Sequence, residues 1–336
     1  MQHFTRMADL GVAGLNAILD QALAWKCSAP GAHLSGRVLG MVFFNPSLRT
    51  RTSFETAMLR GGGHSVVLEV GNGTWDFEYE SGVVMNGSRP EHVREAIPVL
   101  GRYVDALAVR SFAGLNDDDI DAADTLINTF RELAGVPVVS MESAREHPCQ
   151  GLADLLTIRE RFGRTRGVPV TLAWAPHIKP LPKAVPHSFL LGATAAGCDV
   201  RLVHPPGFEL HPGVLEQARG YAAESGGSVK VTHDRQAALE GSLVVYAKSW
   251  GPSSAGGSDD DVAARGIVAR PDWRVDGETM AWAADEAIFM HCLPVRRNVV
   301  VTDEVLDGPR SRVVDEAENR FHVQRVILDA LLNTRN

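Results

Sequence analysis

The sequence has 336 residues and a formal net charge of −8. This length favours two domains over one or four. Hydrophobic residues make up 45%, as in ordinary globular proteins, which excludes a largely disordered or fibrous chain. The negative charge argues against non-specific nucleic-acid binding, which requires a basic face. We therefore expect no nucleic-acid partner. Since no apolar stretch approaches the ~20 residues of a membrane span, we also expect no membrane partner.

The four cysteines are scattered along the chain, at positions 27, 149, 198 and 292. They form no Cys-x-x-Cys pair and show no zinc-site spacing. The amino-terminal residues lack the long apolar stretch of a signal peptide. These features predict reduced thiols, a cytoplasmic protein and no bound metal or other cofactor.

Short apolar runs alternate with helical patterns throughout the first part of the chain. The Gly61-Gly62-Gly63 triplet is expected to end the first helix of this series. The strands are predicted at 38–44, 65–70, 106–110 and 136–141. The helices are predicted at 47–58, 90–103 and 120–134, with Ser47 as a cap and Pro90 in a first turn.

The same alternation continues after residue 150. The helices are predicted at 151–162, 188–196, 212–225 and 316–332. The strands are predicted at 168–175, 200–203, 229–233, 243–248 and 287–292. A segment rich in glycine, serine and aspartate, 251–261, indicates a loop, either a plain exposed insertion or a lid.

Strands separated by helices predict parallel sheets covered by helices on both faces. The break near 147–151 divides the elements into two such series. We therefore expect an α/β protein with two doubly wound parallel-sheet domains.

The first segment that carries chemistry lies where the first predicted strand ends and a helix begins. A helix start has free N–H donors and a partial positive charge, so it attracts phosphate. Ser47 and Thr50 add hydroxyl groups there, and Arg49 and Arg51 add planar donors that match phosphate oxygens. The alternative is a capped helix with solvated arginines. The glycines and the lysine of a Walker P-loop are missing.

Two further segments follow predicted strands. His147 and Gln150 could donate hydrogen bonds to a carbonyl oxygen, or could belong to a structural loop. Cys292 lies beside His291, but adjacent residues on a strand point to opposite faces. A catalytic pair of that cysteine and that histidine is therefore disfavoured.

The order and spacing of these three segments resemble the aspartate/ornithine carbamoyltransferase family, from about residue 38 to 330. That family moves a carbamoyl group from carbamoyl phosphate to an amine. The resemblance implies a carbamoyl-phosphate-binding domain at 1–147, on which a C-terminal helix, 316–333, packs back. It implies an acceptor-binding domain at 148–315. It further implies a homotrimer with shared active sites and a role in arginine biosynthesis.

The resemblance also implies which residues bind carbamoyl phosphate. Arg110, His147, Gln150 and Arg320 would be catalytic, because they would orient or polarise the carbamoyl group. Leu48 stands where the family usually has threonine. The implied carbamoyl-phosphate site comprises Ser47, Leu48, Arg49, Thr50, Trp75, Arg110, His147, Pro148, Cys149, Gln150, Cys292, Leu293 and Arg320.

The acceptor side resembles the branch of the family that uses N-acylated ornithine. The Ser-Met-Gly loop of ornithine enzymes is missing, and the segment 246–250 carries Lys248 instead. A lysine suits an acceptor whose α-amine is acylated and uncharged. The implied acceptor site comprises Pro90, Glu142, His177, Lys248, Cys292, Leu293 and Arg296.

Position 90 separates two acyl groups. The sequence Pro90-Glu91-His92 resembles the succinyl enzymes, whereas acetyl enzymes have Glu-Glu-His. A glutamate there would repel a succinyl carboxylate, which His177 and Arg296 could hold. The resemblance to the succinyl enzymes extends to the segments 174–177, 180–186 and 295–298 and to Val300.

We therefore expect transfer to the δ-amine of N-succinyl-L-ornithine. The alternatives are N-acetyl-L-ornithine as acceptor and a non-catalytic carbamoyl-phosphate-binding protein. No general base stands out, and departing phosphate could take the proton of the amine.

Overall fold

The computed structural model describes residues 1–28, 31–252 and 271–333. Positions 253–261 of the predicted loop lie outside these ranges. The helices are α1 Gly11–Cys27, α2 Leu48–Arg60, α3 Val93–Tyr103, α4 Asp118–Ala123, α5 Thr125–Leu133, α6 Pro148–Phe162, α7 Ala184–Ala195, α8 Pro212–Ser225, α9 Arg235–Leu239, α10 Gly277–Trp282, α11 Asp303–Leu306 and α12 Val313–Leu332.

The strands form two larger parallel sheets and one small one. They are β1 Val38–Phe43, β2 His64–Glu69, β3 Phe77–Glu78, β4 Glu91–His92, β5 Ala106–Arg110, β6 Val138–Glu142, β7 Pro169–Trp174, β8 Asp199–Val203, β9 Ser228–Thr232, β10 Val244–Lys248 and β11 Ile288–Met290. The first sheet has the order β2-β1-β5-β6, and the second has the order β11-β10-β7-β8-β9. The expected α/β fold with two parallel-sheet domains is confirmed.

The inner strands of both sheets are mostly apolar and are buried on both faces. In β5 and β10 every residue is buried, as expected for parallel strands covered by helices on either side. A single apolar cluster joins the two sheets, from Met41 on β1 to Leu172 on β7. The two sheets therefore share this cluster, and each has a second apolar cluster of its own.

Helix α12 connects the end of the chain to the first domain. It packs against α6, α2 and α1, and its buried residues Val323, Ile327 and Leu331 belong to the joint apolar cluster. The expected packing of a C-terminal helix on the N-terminal domain is thus confirmed. The helix begins at Val313, one turn before the predicted start.

Two predicted helices have different bounds in the structure. The helix expected from Pro90 begins at Val93, because Glu91–His92 pairs with β3 and the His92 side chain caps the helix. The helix expected over 120–134 is interrupted at Asp124, whose φ of 52° is left-handed. A left-handed residue cannot continue an α-helix.

Two features near the prolines and the amino terminus were not predicted. Helix α7 includes Pro186. A proline is tolerated in the first helical turn, because the N–H that it lacks would have no helical partner there. Helix α1 buries Leu15 and Leu19 against the joint cluster. Among the described helices, none has both the length and the apolarity needed to cross a bilayer.

We expect Gly101→Ala to destabilise the fold by about 1–3 kcal/mol. A Cβ at position 101 would lie 1.9 Å from the carbonyl oxygen of Ala134, so α3 would have to move away from the end of α5. Unfolding in urea measures the change.

The control is Gly220→Ala in α8, where a Cβ meets no atom within 4 Å. It should stabilise the protein by about 0.5–1 kcal/mol, because alanine is the better helix former. Equal effects of the two substitutions would contradict the close approach at Gly101.

Candidate active site

A cavity of about 360 Å³ lies between the two sheets. Its walls come from the carboxyl ends of strands in both domains, which is where open parallel sheets bind ligands. Strand ends supply Arg110, Glu142 and Lys248. The lining residues are Ser47, Arg49, Thr50, Arg110, Phe112, Glu142, His147, Gln150, His177, Lys179, Leu181, Pro182, Val185, Lys248, Cys292, Leu293, Pro294, Arg296 and Arg320.

The start of α2 forms one end of the cavity. Ser47 caps this helix, and its hydroxyl accepts a hydrogen bond from the backbone N–H of Thr50 at 3.3 Å. The first N–H groups of α2 and the side chain of Arg49 lie at the same end. This arrangement of helix dipole, N–H donors and a guanidinium suits a phosphate group.

Three guanidinium groups, of Arg49, Arg110 and Arg320, lie at this end of the cavity. Thr50 accepts hydrogen bonds from Arg110 and Arg320. Burial, followed by the charge of Arg110, lowers the pKa of Arg320 to about 10. Burial also lowers the pKa of Arg49. Arg49 and Arg320 therefore remain charged at neutral pH and lie close to Arg110.

Glu142 partly neutralises this cluster. Its Oε2 lies 2.7 Å from Nη1 of Arg110, and both side chains are nine-tenths buried. Among the described residues that line the cavity, Glu142 is the one acid, whereas six side chains are lysine or arginine. The cavity is therefore strongly cationic, although the whole chain is acidic.

His147 begins the loop-to-helix turn into α6 and is buried. Its backbone N–H donates to Oγ of Ser188 at 2.7 Å, which fixes the turn against α7. Burial and the neighbouring charges of Arg320 and Arg110 hold the pKa of His147 well below its usual value. His147 is therefore neutral, and it has one N–H to donate and one ring nitrogen to accept.

Gln150 lies one turn further along α6. Its amide nitrogen donates to Asp154 at 2.8 Å and to Glu316 at 3.1 Å. Its Oε1 is buried and bonds to no donor in the described part of the chain. Gln150 was predicted to be a donor, whereas this geometry leaves it an acceptor.

The opposite end of the cavity is basic as well. Lys179, Lys248 and Arg296 line it together with His177. Nδ1 of His177 is 3.0 Å from the carbonyl oxygen of Lys179, to which it donates. Its Nε2 accepts from Nε of Arg296 at 3.2 Å. Burial lowers the pKa of His177, so this histidine is neutral and orients the arginine.

The segment after β11 closes the cavity from the second domain. The Leu293 backbone is left-handed, with a φ of 54°, and its N–H donates to Nδ1 of His291 at 2.9 Å. Burial raises the pKa of the Cys292 thiol. That thiol therefore stays protonated, which agrees with the argument against a cysteine nucleophile.

Five residues of the predicted site do not line this cavity. Pro148 and Cys149 are buried in the first turn of α6. Leu48 is 79% exposed. Trp75 is exposed and donates its indole N–H to Glu91 at 2.6 Å, and Pro90 is exposed nearby. The binding roles of these five residues stay predictions.

Six lining residues were not predicted. Phe112 lies two residues beyond the end of β5, and Arg110 stacks over its ring at 4.7 Å. Its position just after a predicted strand could have indicated Phe112 as a residue of the site. The remaining five belong to the proline-rich loop, the start of α7 and the turn after β11: Lys179, Leu181, Pro182, Val185 and Pro294.

Within the described ranges, no three histidine, cysteine, aspartate or glutamate side chains are grouped to hold a metal ion. The described cysteines are free, with Cys27 exposed and Cys149, Cys198 and Cys292 buried.

Two family descriptions match the chain. Residues 2–160 match "Aspartate/ornithine carbamoyltransferase, carbamoyl-P binding domain", and residues 182–331 match "Aspartate/ornithine carbamoyltransferase, Asp/Orn binding domain". The chain belongs to the aspartate/ornithine carbamoyltransferase family. It is a transferase of the carbamoyltransferase class, as the resemblance of its three segments implied.

Relatives with two different acceptors are similar to this carbamoyltransferase over nearly its whole length. N-acetylornithine carbamoyltransferase from Xanthomonas campestris pv. campestris is 43% identical, over 99% of this chain and 98% of the relative. N-succinylornithine carbamoyltransferase from Bacteroides thetaiotaomicron is 42% identical, over 99% of both. These identities do not separate the two acyl groups.

A solved structure is also similar to this carbamoyltransferase. It is a glutamate-to-proline variant of N-acetyl-L-ornithine transcarbamylase, complexed with carbamyl phosphate and N-succinyl-L-norvaline. Its TM-score is 0.94 at 43% identity, and the match covers 98% of this chain and all of the other.

We expect His187→Asn to reduce the loss of stability on acidification. His187 donates to the carbonyl oxygen of Arg145 at 3.0 Å, and burial lowers its pKa to about 3. The unfolded chain takes up a proton at this histidine below about pH 6.5, whereas the folded protein does not. The free energy of unfolding therefore falls between pH 6.5 and 3, by about 2 kcal/mol at pH 5.

Urea unfolding of the parent and the variant at pH 7.5 and pH 5 measures this difference. His64→Asn, on an exposed strand position, is the control and should keep the acid-induced loss of the parent. The expectation fails if His187→Asn loses as much stability on acidification as the parent does.

Proposed function

We propose that this protein transfers the carbamoyl group of carbamoyl phosphate to the δ-amine of N-succinyl-L-ornithine, in arginine biosynthesis. The products are N-succinyl-L-citrulline and phosphate. One observation carries the proposal: a single cavity joins a phosphate-binding helix start with three arginines to an acceptor end with three further cations. Two anionic substrates fit such a cavity.

Carbamoyl phosphate binds at the start of α2 in this proposal. Its phosphate accepts hydrogen bonds from Ser47, Arg49, Thr50 and the first N–H groups of the helix. Arg110, Arg320 and the neutral His147 surround the carbonyl oxygen, on which negative charge develops when the amine attacks. Preorganised donors of this kind, in a site with little water, stabilise the transition state more than the substrate.

The acceptor amine has to be neutral to attack the carbonyl carbon. The six surrounding cations favour the neutral form, since a further positive charge would be repelled. The C–N bond forms as the bond between carbon and the phosphate oxygen breaks. His147 is a weak base, because its pKa is held low, so the departing phosphate accepts the proton of the amine.

Charge and space support succinyl as the acyl group. With a neutral δ-amine, N-succinylornithine carries two carboxylates, whereas the acetyl compound carries one. The cations available for the two carboxylates are Lys179, Lys248 and Arg296, and His177 orients the arginine. Pro90 stands where the resemblance places glutamate in acetyl enzymes. Alanine, proline and serine variants of an acetyl enzyme at one glutamate are each crystallised with a succinyl compound.

We also propose that the protein is a cytoplasmic homotrimer with shared active sites. Trp75 and Pro90 are exposed and do not line the cavity of their own chain. Between them lies Val84, which is 77% exposed. A neighbouring subunit that received this segment would bury its apolar side chains and obtain Trp75 and Pro90 at its own cavity.

We expect turnover of N-succinylornithine to exceed that of N-acetylornithine and of ornithine at equal concentrations. Citrulline-derivative formation from carbamoyl phosphate measures all three acceptors. Pro90→Glu should lower the succinyl-to-acetyl ratio of kcat/KM, because the carboxylate repels the succinyl group. A preference for the acetyl compound in the parent would refute the succinyl acceptor. Carbamoyl-phosphate binding with no turnover would indicate a non-catalytic binding protein.

Arg296→Gln should lower kcat/KM for N-succinylornithine at least tenfold, since a hydrogen bond to a charged group is worth about 1.5–3 kcal/mol. The effect on N-acetylornithine should be smaller. Arg297→Gln is the matched control, because that side chain is exposed and pairs with Asp303 and Asp307 instead. The assignment of Arg296 to the acyl carboxylate fails if both variants, or both acceptors, respond equally.

A further inference from the structure

A buried pair of carboxyl groups lies behind Gln150. Asp154 comes from α6 and Glu316 from α12, and neither side chain is exposed. Both accept a hydrogen bond from the same amide nitrogen of Gln150, at 2.8 and 3.1 Å. The other carboxylate oxygen of Glu316 accepts from the backbone N–H of His291 at 2.9 Å. The pair therefore contacts two segments of the cavity wall from behind.

The two carboxyl groups bond to one amide nitrogen, so their charges lie close together. Burial, and then the charge of Asp154, raises the pKa of Glu316. Burial raises the pKa of Asp154 to about 7. The other titratable groups that face the pair are Tyr246, Cys292 and Arg320. Two buried carboxylates in contact cannot both stay charged, so the pair retains a proton at neutral pH.

The hydrogen bonds indicate where that proton lies. Both oxygens of Glu316 already accept from N–H donors, so this side chain suits the ionised form. Asp154 uses Oδ1 to accept from Gln150, and its Oδ2 bonds to no donor in the described part of the chain. A proton on Oδ2 of Asp154 fits this pattern, because that oxygen has no donor from which to accept.

We propose that Asp154 and Glu316, with one proton between them, are positioning residues that fix the amide of Gln150 and the turn at His291. Since both carboxyl groups hold the amide nitrogen, the Oε1 of Gln150 is left as an acceptor for the N–H groups of the carbamoyl moiety. The inference rests on carbamoyl phosphate as the substrate of this cavity. It does not depend on the acyl group of the acceptor.

Two isosteric substitutions separate the roles of the pair. In Asp154→Asn, the amide oxygen accepts from Gln150 and the amide N–H replaces the shared proton, so the pattern is kept. In Glu316→Gln, one accepting oxygen becomes an NH₂ group that faces the N–H of Gln150 or of His291. Two donors then face each other, and Gln150 loses its fixed orientation.

The experiment uses the full-length variants and two phosphates, carbamoyl phosphate and acetyl phosphate, which has a methyl group in place of the NH₂. Calorimetric titration gives a dissociation constant for each phosphate without an acceptor. Asp154→Asn should keep the selectivity for carbamoyl phosphate within about threefold of the parent. Glu316→Gln should lower that selectivity about tenfold, the equivalent of one neutral hydrogen bond.

If Glu316 had a merely structural role, Glu316→Gln would weaken the binding of both phosphates by the same factor. The ratio of their dissociation constants would then be unchanged, which would overturn the proposal. Equal losses of selectivity in Asp154→Asn and Glu316→Gln would also overturn it. Asp154→Ala is a second arm should Glu316→Gln fail to fold. Asp154→Ala removes one of the two acceptors of the Gln150 amide. Unlike Asp154→Asn, it should lower the selectivity for carbamoyl phosphate over acetyl phosphate.

These titrations contain no acylornithine, so they are independent of the acyl group proposed for the acceptor. A parent protein that bound neither phosphate would refute carbamoyl phosphate as the substrate. A parent that bound carbamoyl phosphate with the expected selectivity, but with variants that did not differ, would refute the positioning role alone.

Discussion

The repulsion among three neighbouring guanidinium groups, two of them buried, is the constraint on which the site depends. Arg49 lies on α2, Arg110 ends β5 and Arg320 lies on α12, so three separate elements have to hold like charges together. The interaction with Glu142 offsets part of this repulsion. The hydrophobic contacts of the joint core have to supply the rest. A bound phosphate dianion removes it, which ties substrate binding to the stability of the folded state.

The seam between α6 and α12 shows how the fold provides that support. Part of it is polar: Asp154 and Glu316 lie at one end, and Asn319 donates to Thr157 at 2.9 Å further along. Lys26 of α1 donates to the same asparagine. Buried polar seams are costly unless they are fully paired, and they then allow one helix register only. The register of α12 in turn places Arg320 at the cavity.

The sequence predicted the parts of the site that depend on local patterns. Ser47, a strand end and an arginine-rich helix start are neighbours in the chain, so their shared chemistry is visible without a structure. The pairing of Gln150 with Glu316 joins residues 166 positions apart, and no local pattern contains it. Lys179 lies in a proline-rich loop, whose path is set by tertiary contacts. Helix α1 was not predicted either, because its apolar side chains pack on other helices that are distant in the chain, α6, α7 and α12.

The position of α12 in the chain has a consequence for biosynthesis. The helix begins at Val313, so Arg320 and Glu316 leave the ribosome only after both sheets have been translated. Until then, the α6 face that holds Asp154 has no partner, and the apolar residues that α12 covers remain open to solvent. The nascent protein therefore exposes a surface that a chaperone can recognise. The three neighbouring arginines of the cavity come together only after α12 has been translated.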